Sequence, residues 1–150
     1  FVPMNEEEFH HTAKEMKMIL DPDLLLFAEV KGQAVGFVLT LPDVHQAQIK
    51  VQDGKLLPFG LFKLLWNLKG PGNRKRISRC RILTLGVKKA YQPKGIGPLL
   101  YVETMKRGVS KGYKRGEASW ILEDNIPMNS ALQHMSAKKT KVYRIYEKPL

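Results

Sequence analysis

The sequence is short of cysteine, of long apolar stretches and of clustered metal ligands. Its one cysteine, Cys80, excludes a disulfide framework, and the lack of a CxxC pair and of ligand-spaced histidines predicts no metal site. No apolar run approaches the roughly 18 residues that a membrane span needs, and no signal peptide is recognisable. These shortages predict a protein of the reducing cytoplasm, without a membrane partner.

Acidic residues are also scarce in the second half of the chain. The 150 residues carry a formal net charge of +11, yet up to Gly72 there are 7 Lys and Arg against 9 Asp and Glu, whereas from Asn73 onward there are 18 against 5. A basic half of this kind suits a polyanion, whether nucleic acid, anionic lipid or a phosphorylated cofactor. Exposed lysines can equally serve solubility alone. The choice depends on whether the basic half also contains a phosphate-binding geometry.

The sequence has the hydrophobic patterning of a globular protein. With 43% hydrophobic residues, its length suits one compact domain. A capped helix is predicted over 5–20, followed by a hairpin of strands over 24–30 and 34–41. A helix over 56–68 is apolar on nearly all sides, which predicts a buried or partly interfacial helix. We expect the segment 43–72, which contains it, to cover the cleft of the acceptor substrate.

The second half alternates strands and helices. Strands are predicted over 79–87, 118–122 and 141–147, and helices over 97–111 and 127–137. Proline in the first turn and glycine just past the end delimit the first of these helices. This order of elements is that of an α/β architecture.

A glycine-containing turn lies between the strand over 79–87 and the next helix. It reads Gln92-Pro93-Lys94-Gly95-Ile96-Gly97. Two glycines flanking one residue let the backbone turn sharply and approach a ligand, and the free N–H groups at a helix start favour an anion such as a pyrophosphate. The third glycine of a dinucleotide fingerprint and the GK[S/T] of a P-loop are missing. On composition alone, a purely structural turn explains the pattern equally well.

The spacing Gln92-x-x-Gly95-x-Gly97, after the strand, resembles the acetyl-CoA signature Q/R-x-x-G-x-G/A of the GNAT superfamily of N-acetyltransferases. An asparagine before a short helix, the chain ending over 143–148 and the elements over 5–41 follow that family's order. The resemblance implies a GNAT-like acyl-CoA N-acyltransferase fold, α/β (α+β), with a mixed, mostly antiparallel central sheet flanked by helices. It also implies an enzyme that transfers an acetyl or other acyl group directly from acetyl-CoA to a primary amine of an unidentified acceptor.

The same resemblance assigns binding residues for acetyl-CoA. Backbone N–H groups at the end of the strand would contact the acetyl carbonyl and pantetheine, and the turn would hold the pyrophosphate. An asparagine further along would hydrogen-bond CoA or simply cap its helix. The expected cofactor-binding residues are Leu85, Gly86, Val87, Gln92, Pro93, Lys94, Gly95, Ile96, Gly97 and Asn125.

Catalytic candidates are fewer. Glu123, or else its neighbour Asp124, is a candidate base for the acceptor ammonium, with helix capping or neutralisation of lysines as the alternative role. The family often has a tyrosine seven residues after the asparagine, where it protonates the departing thiolate, but that position is Leu132 here. Tyr143, or else Tyr146, is the candidate replacement acid, with packing as the alternative role.

Residues 1–150 are interpreted as a single GNAT-like domain that lacks the family's first strand and helix, and thus as the C-terminal part of a longer protein. A preceding N-terminal domain or a homodimer partner is therefore expected. Two other functions stay open. One is a non-catalytic CoA-binding or scaffold module of the same fold; the other, less favoured, is a nucleic-acid-binding domain that uses the basic run 73–81.

Overall fold

The computed structural model describes residues 5–51 and 59–148, which divide into one compact unit ending at Ser119 and a second beginning at Trp120. Within the described residues, the first unit contains the strands β1 Leu25–Val30, β2 Gln33–Pro42, β3 Arg79–Val87 and β4 Arg115–Ala118. Its helices are α1 Glu6–Met16, α2 Val44–Gln48, α3 Gly60–Lys69, α4 Asn73–Arg76 and α5 Ile96–Ser110, and the second unit contains α6 Ile126–His134. No helix in these ranges is long and apolar enough to cross a bilayer.

The sheet is mixed and mostly antiparallel, as predicted, and its four strands lie in sequence order. β1 and β2 form a hairpin in which Phe27 stands opposite Phe37. Its turn residues Lys31 and Gly32 both have positive φ, which is the conformation of a type I′ turn. β2 pairs antiparallel with β3, and β3 pairs parallel with β4. α5 therefore makes the crossover that two parallel strands require.

Two buried clusters hold the first unit together. One lies between α5 and the sheet, where Leu26, Val38 and Leu100 are buried. The other includes Leu68 of α3, with Leu64 packed against it. One side of α3 is thus part of the core, and the remaining members of this second cluster are Leu24, Ala47, Ile77, Cys80 and Tyr113.

Several predicted elements lie where the sequence places them, with shifted ends. Asn5 caps α1 through reciprocal hydrogen bonds with Glu8 (2.8 and 2.9 Å), but the helix ends at Met16 rather than at residue 20. β3 has the predicted bounds, and the helix after the glycine turn begins one residue early. Residues 56–58 of the predicted apolar helix lie outside the described residues.

Two strand predictions are wrong. The strand predicted over 118–122 is β4, over Arg115–Ala118, because pairing with β3 rather than apolar content selects it. The closing strand predicted over 141–147 does not form: residues 137–148 contain neither helix nor strand, and Tyr143 and Tyr146 are exposed. An alternating pattern makes a strand only where a partner strand and an apolar surface receive it.

Candidate functional site

The glycine turn follows directly from β3. After the strand, the chain forms a 3-10 helix over Lys89–Lys94, passes through Gly95 in the left-handed conformation (φ 74°) and enters α5 at Ile96. A residue with a side chain adopts that φ only at a cost in free energy. The backbone itself therefore favours glycine at position 95.

The first turn of α5 offers unsatisfied hydrogen-bond donors. No side chain caps the helix, Pro98 has no N–H group, and Leu99 donates to the Gly95 carbonyl at 3.1 Å. Within the described residues, the N–H groups of Ile96 and Gly97 have no acceptor. Together with the positive end of the helix dipole, they form an anion-binding position.

Gly97 has no structural need to be glycine. Its φ is not positive, and a Cβ built at this position would meet nothing within 4 Å. In a helix, glycine is less stable than alanine by about 0.5–1 kcal/mol. The missing side chain leaves the space beside the first turn of α5 open, which is what the close approach of a phosphate requires.

Further contacts fix the turn to the sheet. The Lys88 N–H donates to the Val35 carbonyl (2.8 Å), and Gln92 Nε2 donates to the carbonyl at the end of β3 (3.2 Å). Gly36 of β2 leaves room for both β3 and α5, because a Cβ there would lie 3.1 Å from the Gly86 carbonyl oxygen and 3.3 Å from Ile96 Cγ2. Gly36 is a positioning residue that was not identified from the sequence, although glycine inside a strand is a signal of close approach.

Three exposed lysines, Lys88, Lys89 and Lys94, surround the turn. The Lys94 Nζ atom lies 4.6 Å from the centre of the Tyr91 ring, a cation–π contact that holds this charge at the turn. Positive charge beside free N–H donors favours a polyanion such as a pyrophosphate.

β3 and β4 part halfway along β3. The two strands pair from Arg79 to Ile82 against Arg115 to Ala118, and β3 then continues to Val87 while β4 ends. Among the described residues, the later half of β3 has no strand partner on the side away from β2. The expected binding residues at the end of β3 lie in this half.

A β-bulge marks the point where the strands part. Leu39 of β2 pairs with Thr84, and the next residue, Thr40, pairs with Ile82, so Leu83 is the extra residue. A bulge bends its strand and increases the local twist. The bulge therefore distorts β3 next to the position where its pairing with β4 ends.

A polar network ties the two strands together just before this point. Arg81 Nε donates to Ser119 Oγ (2.8 Å), Ser119 donates to Glu117 Oε1 (3.1 Å), and Arg81 Nη2 lies 3.6 Å from the same carboxylate oxygen. These residues were not identified from the sequence, because only the parallel register places 81 opposite 117. The network fixes where the strands separate.

Much of the basic run 73–81 is used inside the first unit. Arg79 binds the buried carboxylate of Asp43 through Nη2 (2.6 Å) and Nε (2.7 Å), and this hydrogen bond raises the pKa of the guanidinium. Arg76 donates to three carbonyls at and after the end of α3, at 2.9–3.3 Å. With Arg81 also paired, three arginines of the run contact the protein itself. This weakens the nucleic-acid alternative.

The second unit contains the other predicted site residues. Asn125 caps α6, since its Oδ1 accepts a hydrogen bond from the Met128 N–H (3.3 Å), so one of its two predicted roles is observed. Glu123 and Tyr143 are exposed, and Leu132 is half-buried. The structure thus groups the nine expected binding residues of β3 and the turn, and describes the catalytic candidates in a separate unit.

The remaining reactive side chains are those that could bind a metal ion and the thiol of Cys80. Within the described ranges, no three His, Cys, Asp or Glu side chains are grouped so that they could hold a metal ion. Cys80 is buried in β3, and its thiol points to the Arg115 carbonyl across the strand pair (3.8 Å). Its place is that of a packing residue.

The mixed sheet, the strands that part at a bulge and the glycine turn before α5 together form the fold of the GNAT acetyltransferases. The aminoglycoside 6′-N-acetyltransferase AAC(6′)-Iy, solved with the bisubstrate analogue CoA-S-monomethyl-acetylneamine, matches with a TM-score of 0.59 and 14% identity over 97% of this chain and 83% of that one. The aminoglycoside 6′-N-acetyltransferase AAC(6′)-Ih from Acinetobacter baumannii matches with a TM-score of 0.59 and 13% identity over 99% and 84%. At these identities the likeness establishes the fold, and the resemblance found in the sequence is confirmed at that level.

Two curated proteins are more similar in sequence. The bacterial ceramide synthase of Caulobacter vibrioides is 40% identical over 154 aligned residues, which cover 100% of this chain and 39% of that protein. Protein YghO of Escherichia coli is 36% identical over 154 residues, covering 100% and 38%. The chain therefore spans less than two fifths of the length of these relatives. No family model matches it.

Proposed function

We propose that this chain carries the acyl-CoA site of an N-acyltransferase, an enzyme that transfers an acyl group from a CoA thioester to a primary amine. The observation that carries the proposal is Gly97. This helix residue has no side chain although the protein leaves room for one, and the space kept open adjoins two free N–H donors. The CoA derivative bound in a solved structure of the same fold supports the proposal.

In the proposed complex, the pyrophosphate of acetyl-CoA or of a longer acyl-CoA accepts hydrogen bonds from the N–H groups of Ile96 and Gly97. Lys94 adds positive charge, while Gln92, Pro93 and Gly95 shape the turn. Pantetheine then runs along the unpaired half of β3, with backbone groups of Leu85, Gly86 and Val87 near the thioester, and Asn125 as a further contact.

The proposed chemistry is direct transfer. The free amine attacks the thioester carbonyl and forms an N–C bond in a tetrahedral intermediate. The intermediate collapses as the C–S bond breaks, the amine proton passes to a base and CoA leaves as a thiolate. One backbone N–H aimed at the oxygen of the tetrahedral intermediate is typically worth roughly 10²–10³ in rate. We assign the base to Glu123 and the acid to Tyr143. Water is the alternative acid, because a thiol of pKa about 8.5 leaves without strong assistance.

We further propose a long-chain amino alcohol as the acceptor and a fatty acyl group as the cargo. The relative from Caulobacter vibrioides is named a ceramide synthase, and a ceramide is an amide of a fatty acid with a long-chain amino alcohol. An N-acetyltransferase makes the same kind of bond to an amine. The single-domain interpretation, the cytoplasmic location and the N-terminal or homodimer partner stay predictions beside this one.

Calorimetry with CoA on the full-length protein tests the binding site. Gly95→Ala should lower the affinity at least tenfold, because it strains the turn that presents the free donors. Gly32→Ala is the matched control, since Gly32 has nearly the same φ (75° against 74°) and equal open space around its Cβ, but lies in the β1–β2 turn. An equal loss in both variants, or none in Gly95→Ala, contradicts the assignment.

Thiol release tests the reaction. Acetyl-CoA and a long-chain acyl-CoA are each offered to the full-length protein with a long-chain amino alcohol, a simple alkylamine or an aminoglycoside. Release with the long-chain amino alcohol and long-chain acyl-CoA supports the proposed acceptor. CoA binding without release from any pair favours the non-catalytic CoA-binding module instead. That alternative is kept because Leu132 replaces the family's thiolate acid.

A further inference from the structure

Helix α3 has aromatic residues on the side that faces away from the buried cluster. Leu64 and Leu68 pack into the buried cluster, so the opposite side of the helix is expected to be polar. It carries instead Phe62 and Trp66, which are 65% and 51% exposed and stack on each other with 6.0 Å between ring centres. Together with Lys63 they line a surface hollow of about 260 Å³.

The carboxyl end of α3 is held firmly. Asn73 Nδ2 donates to the Leu68 carbonyl (2.7 Å), and Arg76 Nη2 donates to the Trp66 carbonyl (3.0 Å). The Leu68 carbonyl, which a helix end normally leaves free, is therefore satisfied by a side chain, and the Trp66 carbonyl accepts the Arg76 hydrogen bond in addition to that of the Gly70 N–H (2.8 Å). The aromatic pair is presented on a fixed element rather than on a loop.

The charged residues in the part of the sequence around α3 are all basic. Between Asp53 and Glu103 there is no acidic residue, whereas there are 11 Lys and Arg. Among them, Lys63 and Lys69 of α3 and Lys75 of α4 are exposed. An apolar surface bordered by cations complements a partner that is anionic at its face and apolar beneath.

We propose that the outer face of α3, defined by Phe62, Lys63, Trp66 and Lys69, docks on an anionic lipid bilayer. Aromatic side chains insert at the boundary between head groups and acyl chains, while each lysine near an anionic leaflet strengthens binding about fivefold. The contact is with the bilayer surface and involves no span. It revises the expectation, drawn from the sequence, that the protein has no membrane partner.

A bilayer fits this face better than a nucleic acid does. The arginines of the neighbouring basic run, Arg76, Arg79 and Arg81, are bound within the protein. The rings of Phe62 and Trp66 stack on each other, whereas a single-stranded nucleic acid requires aromatic faces that are free to receive its bases.

Flotation of the full-length protein with vesicles tests the proposal. We expect it to float with vesicles of phosphatidylcholine and phosphatidylglycerol and much less with phosphatidylcholine alone. Phe62→Ser combined with Trp66→Ser should weaken binding at least tenfold, and Trp120→Ser, which removes an exposed tryptophan of the second unit, should not. Lys63→Glu with Lys69→Glu should weaken it similarly on anionic vesicles only, whereas Lys14→Glu with Lys17→Glu should change it less than twofold.

Fluorescence supplies a second readout. The emission of Trp66, taken as the difference between the spectra of the parent protein and of a Trp66→Phe variant, should shift to the blue on addition of anionic vesicles. Circular dichroism checks that the variants fold, and CoA calorimetry run in parallel separates this proposal from the proposed function, which vesicle binding does not require. The membrane proposal would be overturned by equal binding to both vesicle types or by equal losses in the control variants. Self-association or nucleic-acid binding that disappears with Phe62→Ser would overturn it as well.

Discussion

Gly95 and Gly97 stand two residues apart and lack side chains for different reasons. Gly95 has a φ of 74°, which the chain needs in order to leave the 3-10 helix and enter α5. Gly97 lies inside the helix, where an alanine would fit without contact. A residue that lowers helix stability without serving a contact is typical of a functional site rather than of a folding requirement.

Replacing Gly97 by alanine should therefore separate stability from binding. We expect the free energy of unfolding to rise by up to about 0.5–1 kcal/mol, while CoA affinity falls at least fivefold because the Cβ occupies space meant for the phosphate. Chemical denaturation and calorimetry measure the two effects. Gly108→Ala is the control on the same helix, since its Cβ would make only an ordinary contact at 3.8 Å with Cys80. Unchanged CoA affinity in Gly97→Ala would contradict the interpretation.

The second prediction at the scale of a single residue concerns Asp43 and its partner Arg79. Its carboxylate is 3% exposed, accepts the His45 N–H at 3.2 Å and binds Arg79. Arg79→Gln removes the charge that compensates this buried anion. Because Arg79 is itself partly exposed, we expect a loss of about 1–3 kcal/mol in the free energy of unfolding, measured in urea. Arg115→Gln, an exposed change on the adjacent strand, should have little effect; similar losses in both would rule out this role for the pair.

At the scale of elements, β3 and β4 differ in how well the sequence pattern predicts their position. β3 could be predicted residue for residue because its branched apolar residues alternate and pack against α5. β4 reads RGEA and has no such pattern; its place depends on the register with β3 and on the contacts of Glu117 with Arg81. The apolar run over 118–122 misled the prediction, although Trp120 and Leu122 are exposed.

Some parts of the candidate site could likewise be predicted from the sequence and others could not. The glycine turn could be predicted because its signal is local: two glycines, a helix start and neighbouring lysines. The parting of β3 from β4 and the bulge at Leu83 could not, because both depend on registers between residues some 30 or more positions apart. Gly36 could be predicted only in part: a glycine inside a strand is visible in the sequence, but its closeness to Ile96 is not.

The carboxyl end of α5 is tied to the segment before β1, and this tie predicts a pH dependence. Lys111 Nζ lies 2.6 Å from Asp21 and 2.7 Å from Asp23, and its hydrogen bond and charge lower the pKa of Asp23. The folded pKa is below that of the unfolded chain, about 3.9, so the contribution to stability is present above that pH and is lost as the pH falls through the folded pKa. Urea denaturation below about pH 4 should show a smaller loss of stability in Asp23→Asn than in the parent protein. Glu29→Gln should follow the parent; an unaltered pH profile in Asp23→Asn would contradict the assignment.

At the scale of the whole molecule, all the expected binding residues except Asn125 lie in a different unit from the catalytic candidates. The first contains the glycine turn, the parted strands and the basic surface of α3, and the second contains the catalytic candidates. CoA affinity and turnover are therefore the two quantities to be measured separately in every variant. The full-length protein is required, since the chain spans 39% of its ceramide synthase relative.

Glu123 is the first catalytic candidate to be tested in this way. Glu123→Gln should lower kcat about 10²-fold near neutral pH, where the acceptor amine needs a base, and leave CoA affinity unchanged. The defect should shrink as the pH rises and the free amine forms without help. Asp124→Asn changes the adjacent exposed carboxylate, the other candidate base, and should have the smaller effect if Glu123 is the base. If both variants keep full activity, capping or neutralisation of lysines is the role of Glu123.

The departing thiolate gives the last prediction, which concerns Tyr143 and Leu132. The thiolate of CoA is a tolerable leaving group, as a cysteine thiolate is at a pKa of about 8.5, so a general acid is worth at most about 10²–10⁴ in rate. If Tyr143 supplies the proton, Tyr143→Phe lowers kcat with CoA affinity intact, whereas Tyr146→Phe does not. Leu132→Tyr restores the residue that the family often has, and it should accelerate acyl transfer if protonation limits turnover. No change in any of these variants would assign the proton to water, because removing or adding a phenol would then leave the limiting step untouched.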